Sequence, residues 1–246
     1  MASNVPARCC TVGVKHSGDA AGEYQDIDGV DTYLSYPEDR STKHGVIILT
    51  DVIGHRFINS QLIADQFAAN GYFVAMPDLF HGDPVKLNRP ASFKLMTWLE
   101  GHPTERVDPV VDSVIKHMRT NSGCEKIGAV GYCFGAKYVV RFLRPEEGKA
   151  DVGYIAHPGF VELDELSAIT GPLSIAAAET DDIFPTSKRH QSEGILRDRR
   201  QPYQINLYSG VEHGFAIRAD LTDKAKKFAK EQAFLQAAQW FDEFIK

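Results

Sequence analysis

Residues 126–140 read Lys126-Ile-Gly-Ala-Val-Gly-Tyr-Cys-Phe-Gly-Ala-Lys-Tyr-Val-Val140. An apolar, β-prone run at 127–130 passes through Gly131-Tyr132-Cys133-Phe134-Gly135 into a helix-compatible segment at 136–143. The order is strand, sharp turn, helix, with one reactive side chain at the apex. It has the form G-x-S-x-G with Cys in place of Ser. Such a turn strains the backbone at the nucleophile, so small residues must stand two positions to either side. It also aims the N–H of the next residue, Phe134, at the oxygen of an attacked carbonyl. A cysteine between glycines is by itself an ordinary small buried residue. The strand before it and the helix after it make Cys133 a candidate nucleophile.

Outward from this stretch, strands alternate with helices. Strands are expected at 24–28 and 30–36, paired around Gly29, and then at 45–50, 72–76, 126–133, 152–156, 172–178 and 203–208. Helices are expected at 58–70, 91–100, 107–121, 136–143, 162–168, 188–199 and 223–244. In the last helix, Phe228, Ala233, Leu235, Ala238, Trp240 and Phe241 are the core candidates. Residues 1–23 read as loop, with a short strand at 10–14. The pattern predicts a mostly parallel, doubly wound α/β sheet with an antiparallel N-terminal edge hairpin and helices on both faces. No repeat or Gly/Ser linker divides the chain, so 1–246 is expected to be a single domain.

The composition excludes several classes. Of 246 residues 43% are apolar and 24% charged, which is ordinary for a globular protein. The formal charge is −6 and no cluster of five Lys/Arg occurs, so no nucleic-acid partner is expected. The apolar runs are strand-sized, so no membrane span is expected. The N-terminus has no apolar signal core and the final Glu243-Phe-Ile-Lys246 matches no retention or peroxisomal address, which points to the cytoplasm. The four cysteines, Cys9, Cys10, Cys124 and Cys133, fit neither zinc spacing nor a disulfide framework. Cys9, Cys10 and His16 could be imagined as ligands, but adjacent cysteines rarely share an ion, and no metal or other cofactor is expected.

In open α/β sheets, ligands bind beyond the carboxyl ends of the strands. The residues placed there are Asp51, Pro77-Asp78, Cys133, His157, Asp181 and His213. Cys133, Asp181 and His213 follow the chain order of an α/β-hydrolase triad. His213 would take the thiol proton and later protonate the leaving group. Asp181 would fix the imidazole tautomer and stabilise the imidazolium. Asp182 competes for that part; Asp181 is preferred because Pro185, four residues on, is a plausible helix start that leaves Asp181 at the strand tip. The second oxyanion N–H is expected from Val52, after the first central strand. His81, Trp98, Tyr132, His157 and Phe160 are candidates for the pocket wall, against simple core packing.

These motifs resemble the dienelactone hydrolase family of α/β-hydrolases. The residues that carry the resemblance are Asp51-Val-Ile-Gly54, Pro77-Asp-Leu-Phe80, Gly131-Tyr-Cys-Phe-Gly135, Ala178-Glu-Thr-Asp181 with Pro185, and His213-Gly-Phe215. Cys9-Cys10 with His16 resembles the eukaryotic branch. The resemblance implies cofactor-free hydrolysis of small lactones and esters, with Cys133 as nucleophile, His213 as base, Asp181 as its partner, and Val52 and Phe134 at the oxyanion. It implies that Asp51, a methylene shorter than the usual Glu, stands where an acid holds the resting thiol. Arg218 lies near the position of a family substrate-binding arginine. A second such arginine is replaced by Phe80-His81-Gly82, which argues against dienelactone itself as substrate.

The reading is therefore a hydrolase of a small lactone or carboxylic ester, monomeric or homodimeric. The alternatives are thioester or lyase-like acyl cleavage in secondary metabolism, a non-catalytic hydrolase-fold binding protein, and a thiol redox sensor. The last would want a resolving cysteine near Cys133. Cys124, at the far end of the same strand, is too distant to serve.

Overall fold

The structure, a computed structural model, describes residues 1–90, 92–145 and 150–246. After a short 3-10 turn at Arg8–Thr11, the strands are β1 (Glu23–Ile27), β2 (Val30–Ser35), β3 (His44–Leu49), β4 (Phe73–Pro77), β5 (Lys126–Tyr132), β6 (Val152–Ala156), β7 (Leu173–Thr180) and β8 (Tyr203–Glu212). The helices are α1 (Ile58–Ala69), α2 (Leu95–Glu100), α3 (Thr104–Thr120), α4 (Gly135–Phe142), α5 (Leu163–Ser167), α6 (Thr186–Arg199), α7 (Phe215–Arg218) and α8 (Lys224–Phe244).

All eight strands join one sheet in the order β1-β2-β4-β3-β5-β6-β7-β8. β1 and β2 pair antiparallel at one edge, and β2 meets β4 antiparallel; every pairing from β4 to β8 is parallel. This is the α/β sheet with the antiparallel edge hairpin that the sequence predicts. β4 and β6 are buried along their full length and β5 from Ile127 onward, as strands covered on both faces must be. No helix among the described residues is long and apolar enough to cross a membrane.

Four expectations need correction. The strand at 10–14 is absent; Arg8–Thr11 forms the 3-10 turn instead. The helix expected at 91–100 begins on Ala91, outside the described residues, and is helical over Leu95–Glu100. α7, immediately after His213, was not foreseen. In α8 the core stripe is Ala229, Ala233, Ala237 and Phe241, at i, i+4, i+8 and i+12. Phe228 and Leu235 lie off that stripe and are 62% and 44% exposed.

The helix behind the Cys133 turn is anchored by charge. The Glu165 carboxylate on α5 accepts from Lys137 Nζ at 2.9 and 3.0 Å and from Arg141 Nη1 at 2.8 Å, and Arg141 also pairs with Asp108 of α3. Glu165 further accepts from the Glu162 N–H at 3.1 Å, closing the capping box of α5.

Candidate active site

β5 ends at Tyr132 and the chain turns at once into α4. Cys133 holds the apex with φ +50°. A left-handed backbone at a residue with a side chain costs on the order of 1–3 kcal/mol and persists only where its surroundings enforce it. Here the Cys133 N–H donates to Ala156 O at 3.3 Å, and its carbonyl accepts from Ala136 N at 3.2 Å and Gly159 N at 2.9 Å. The flanking glycines leave room for the turn. A Cβ on Gly131 would lie 2.8 Å from Ala136 Cα, and one on Gly135 would enter the Leu49 carbonyl. His157 and Phe160, in the loop that follows β6, also have positive φ, +39° and +62°.

His213 follows β8. Gly214, at φ +93°, turns the chain into α7, and a Cβ there would strike the Arg218 guanidinium. The turn places the His213 ring in the interior. Its Nδ1–H donates to the Asp181 carboxylate, 2.9 Å from Oδ2 and 3.1 Å from Oδ1. Asp181, just beyond β7, is itself held by the N–H groups of Ile183 and Phe184 at 2.8 and 3.0 Å. Asp182 is exposed, and its carbonyl accepts from Asn4.

The other face of the imidazole meets a residue that sequence reasoning had not placed here. His213 Nε2 lies 3.7 Å from Cys10 Sγ, and Cys10 Sγ lies 3.5 Å from Cys133 Sγ. The ligand atoms of Cys10, Cys133 and His213 all fall within 4.8 Å of one another. Both cysteines are fully buried. The vicinal Cys9-Cys10 was a visible signal, but nothing in its aperiodic surroundings told where the segment would lie. The N-terminal segment is tied down on both sides. Ala2 and Asn4 N–H groups donate to Val161 O and Ile183 O, and Arg218 donates to Cys9 O and Val12 O. His16 does not join the cysteines; its Nε2 lies 2.8 Å from Ala219 O.

Asp51 is buried and paired with Arg218, and its Oδ1 accepts from Ile53 N at 3.0 Å. It is the counter-ion of Arg218, whereas the hydrogen-bond contact of the Cys133 thiol is Cys10. The N–H groups of Val52 and Phe134 donate to no acceptor among the described residues. Phe134 packs within an aromatic wall, with ring centroids 5.1 Å from Phe80, 5.5 Å from Phe160 and 6.5 Å from Trp98. Tyr132 stacks on His157 at 6.0 Å, and His157 meets His213 edge-on at 5.0 Å. His81 is exposed, with Nε2 3.2 Å from Arg106 O, and none of its contacts reaches the thiol. A cavity of about 210 Å³ lies beside His213, lined in part by Cys9, Val12, Phe215 and Arg218.

The electrostatics set these groups apart. Burial pulls His213 down, but Cys10 beside Nε2 and Asp181 on Nδ1 outweigh it, so the imidazole sits well above its ordinary range. His157 goes the other way: burial, reinforced by His213, holds it neutral. Burial draws Arg218 down to about 10.

A parallel sheet carrying a cysteine elbow and an Asp-held histidine at its strand ends defines an α/β-hydrolase. The family model for the dienelactone hydrolase family matches residues 30–245, and the chain belongs to that family. It is similar over its full length to the hydrolase tropI of Talaromyces stipitatus, 53% identical and covering 99% of that protein. It is 51% identical to the hydrolase pyvD of Aspergillus violaceofuscus, covering all of both chains. Among solved structures, a putative dienelactone hydrolase from Klebsiella pneumoniae superposes with a TM-score of 0.73 at 15% identity, covering 92% of this chain and 100% of that one. The protein is an enzyme of the ester- and lactone-hydrolysing class.

Proposed function

We propose that the enzyme cleaves a small lactone or carboxylic ester through Cys133, with His213 as base and Asp181 as its orienting acid. One observation carries this reading: the imidazole is held at Nδ1 by Asp181, 2.9 Å away, while its Nε2 faces the sulfurs beside the strained turn. In the resting arrangement Cys10 touches both partners, and the Cys133 side chain would have to rotate for Sγ to reach Nε2. In its neutral form His213 then takes the thiol proton, and the thiolate attacks the acyl carbon. The free N–H groups of Val52 and Phe134 stabilise the oxyanion. Collapse expels the alcohol or enol oxygen, which takes the proton from His213. Water activated by the same ring hydrolyses the acyl-thioester.

Arg218 supports a substrate without a carboxylate at that point. Its donors are committed to Asp51, Cys9 O and Val12 O, and so to fixing the N-terminal segment. The Phe80, Trp98, Phe134 and Phe160 rings offer an apolar wall for the acyl or leaving group.

The test is hydrolysis of a panel of enol-lactones, aryl esters and acyl thioesters by wild type and Cys133→Ala, with folding matched by circular dichroism. Turnover that vanishes with Cys133 supports the reading, and the preferred panel member gives the substrate class. Turnover that survives the change rejects it.

A further inference from the structure

We propose that Cys10, Cys133 and His213 form a binding site for a zinc ion, and that zinc bound there blocks the hydrolase chemistry. The inference rests on the proposed function only for its effect on turnover; the site itself follows from the donor geometry.

Tetrahedral zinc with Zn–S near 2.3 Å and Zn–N near 2.0 Å sets S···S edges of about 3.8 Å and S···N edges of about 3.5 Å. The observed Cys10–Cys133 edge is 3.5 Å and the Cys10–His213 Nε2 edge is 3.7 Å. The third edge, Cys133 to His213, is within 4.8 Å, and metal binding would have to draw it in to about 3.5 Å. Two thiols and one imidazole are a soft, borderline donor set of the kind that favours zinc over harder cations.

The outer shell has the matching form. A metal-binding histidine characteristically donates its other ring N–H to a carboxylate, which fixes the tautomer and aims the lone pair. Asp181 does this to His213. His157 stands beside the cluster, fully buried, with neither ring nitrogen partnered among the described residues.

Binding releases to solvent the two thiol protons and, from the charged ring, the Nε2 proton; it forms two Zn–S bonds and a Zn–N bond, and involves no electron transfer. It consumes the Cys133 thiolate and the Nε2 lone pair together, so neither is left for acyl transfer. A disulfide between the two cysteines would need a two-electron oxidant and would leave His213 out of the cluster. The convergence of all three donors favours the metal.

The experiment titrates the full-length, reduced, metal-free protein with Co²⁺ as optical probe and then displaces it with Zn²⁺. One equivalent of Co²⁺ is expected to give a thiolate-to-cobalt charge-transfer band and strong visible absorption of tetrahedral type, both bleached by zinc. Cys10→Ser should lose about half of the charge-transfer intensity and at least about 10–100-fold in zinc affinity. Asp181→Asn should weaken zinc by about 10–100-fold while keeping both thiolate bonds. Cys124→Ser is the control and should behave as wild type. Zinc should also slow alkylation of Cys133, and a chelator should restore it. No charge-transfer band, or a band that persists undiminished in Cys10→Ser, overturns the proposal; loss of the band in Cys9→Ser with Cys10→Ser unaffected overturns the ligand assignment. These signals need no turnover. A protein that binds metal but hydrolyses nothing would refute the proposed function and leave the zinc site standing, and the reverse result would do the opposite.

Discussion

At the scale of single residues, Asp181 and Asp182 separate two roles that the sequence left in competition. The Pro185 signal favours Asp181, and the structure brings its carboxylate to His213 while Asp182 stays exposed. Asp181→Asn should cut kcat by about 10⁴-fold, because the amide presents the wrong partner to Nδ1. Asp182→Asn should leave steady-state rates unchanged. Loss of activity in Asp182→Asn with Asp181→Asn active would reverse the assignment. Cys133 and His213 were legible because glycine spacing and chain order are local signals. Cys10 was not, since its position depends on where an aperiodic N-terminal segment docks. That docking is decided by distant partners, chiefly Arg218 and the carbonyls of Val161 and Ile183. Asp51 was legible as a strand-end acid, but its pairing with Arg218 is a contact across 167 positions that no spacing encodes.

At the scale of elements, a charge network anchors α4, the helix behind the Cys133 turn. Glu165 is buried, yet it receives Lys137, Arg141 and the Glu162 N–H. Removing it leaves Lys137 without an anionic partner, and Arg141 with Asp108 alone, in a largely dry setting, whose cost exceeds that of a lost surface pair. Glu165→Ala should therefore lower stability by about 3 kcal/mol, read as a fall in the urea midpoint at unchanged slope. A loss below about 1 kcal/mol, the range of exposed pairs, would show that the network does not hold α4. Long periodic elements were read from the sequence to within a few residues, and α7 was missed because four residues carry too little periodicity. In α8, Ala233, Ala238 and Phe241 are buried as expected and Trp240 packs against the core, whereas Phe228 and Leu235 lie off the mostly alanine stripe and are exposed.

At the scale of the whole molecule, the mostly parallel sheet and its antiparallel edge follow from strand–helix alternation and the Gly29 hairpin, both visible in the sequence, whereas the placement of β4 between β2 and β3 is not. The ionisation of the folded state is not, because it depends on burial. Lys230, on α8, is the clearest case: burial pulls its amine from the ordinary 10.5 down to about 8. Between those values the unfolded chain holds a proton that the folded chain has released, so stability gains a contribution that rises with pH from about 8 to 10.5. Lys230→Met should be more stable than wild type at neutral pH and should lose that rise. Urea unfolding of the two proteins across this window measures the difference; parallel pH profiles would mean that Lys230 keeps its ordinary affinity for protons.

The most direct test of the Cys133 mechanism is to trap its covalent intermediate. Rapid acid quench during turnover of the best aryl ester, followed by peptide mass spectrometry, should find one acyl group per chain on the peptide bearing Cys133. Acylation of Cys10 instead, or full turnover with no acylated cysteine at any quench time, would contradict the assignment of Cys133 as nucleophile.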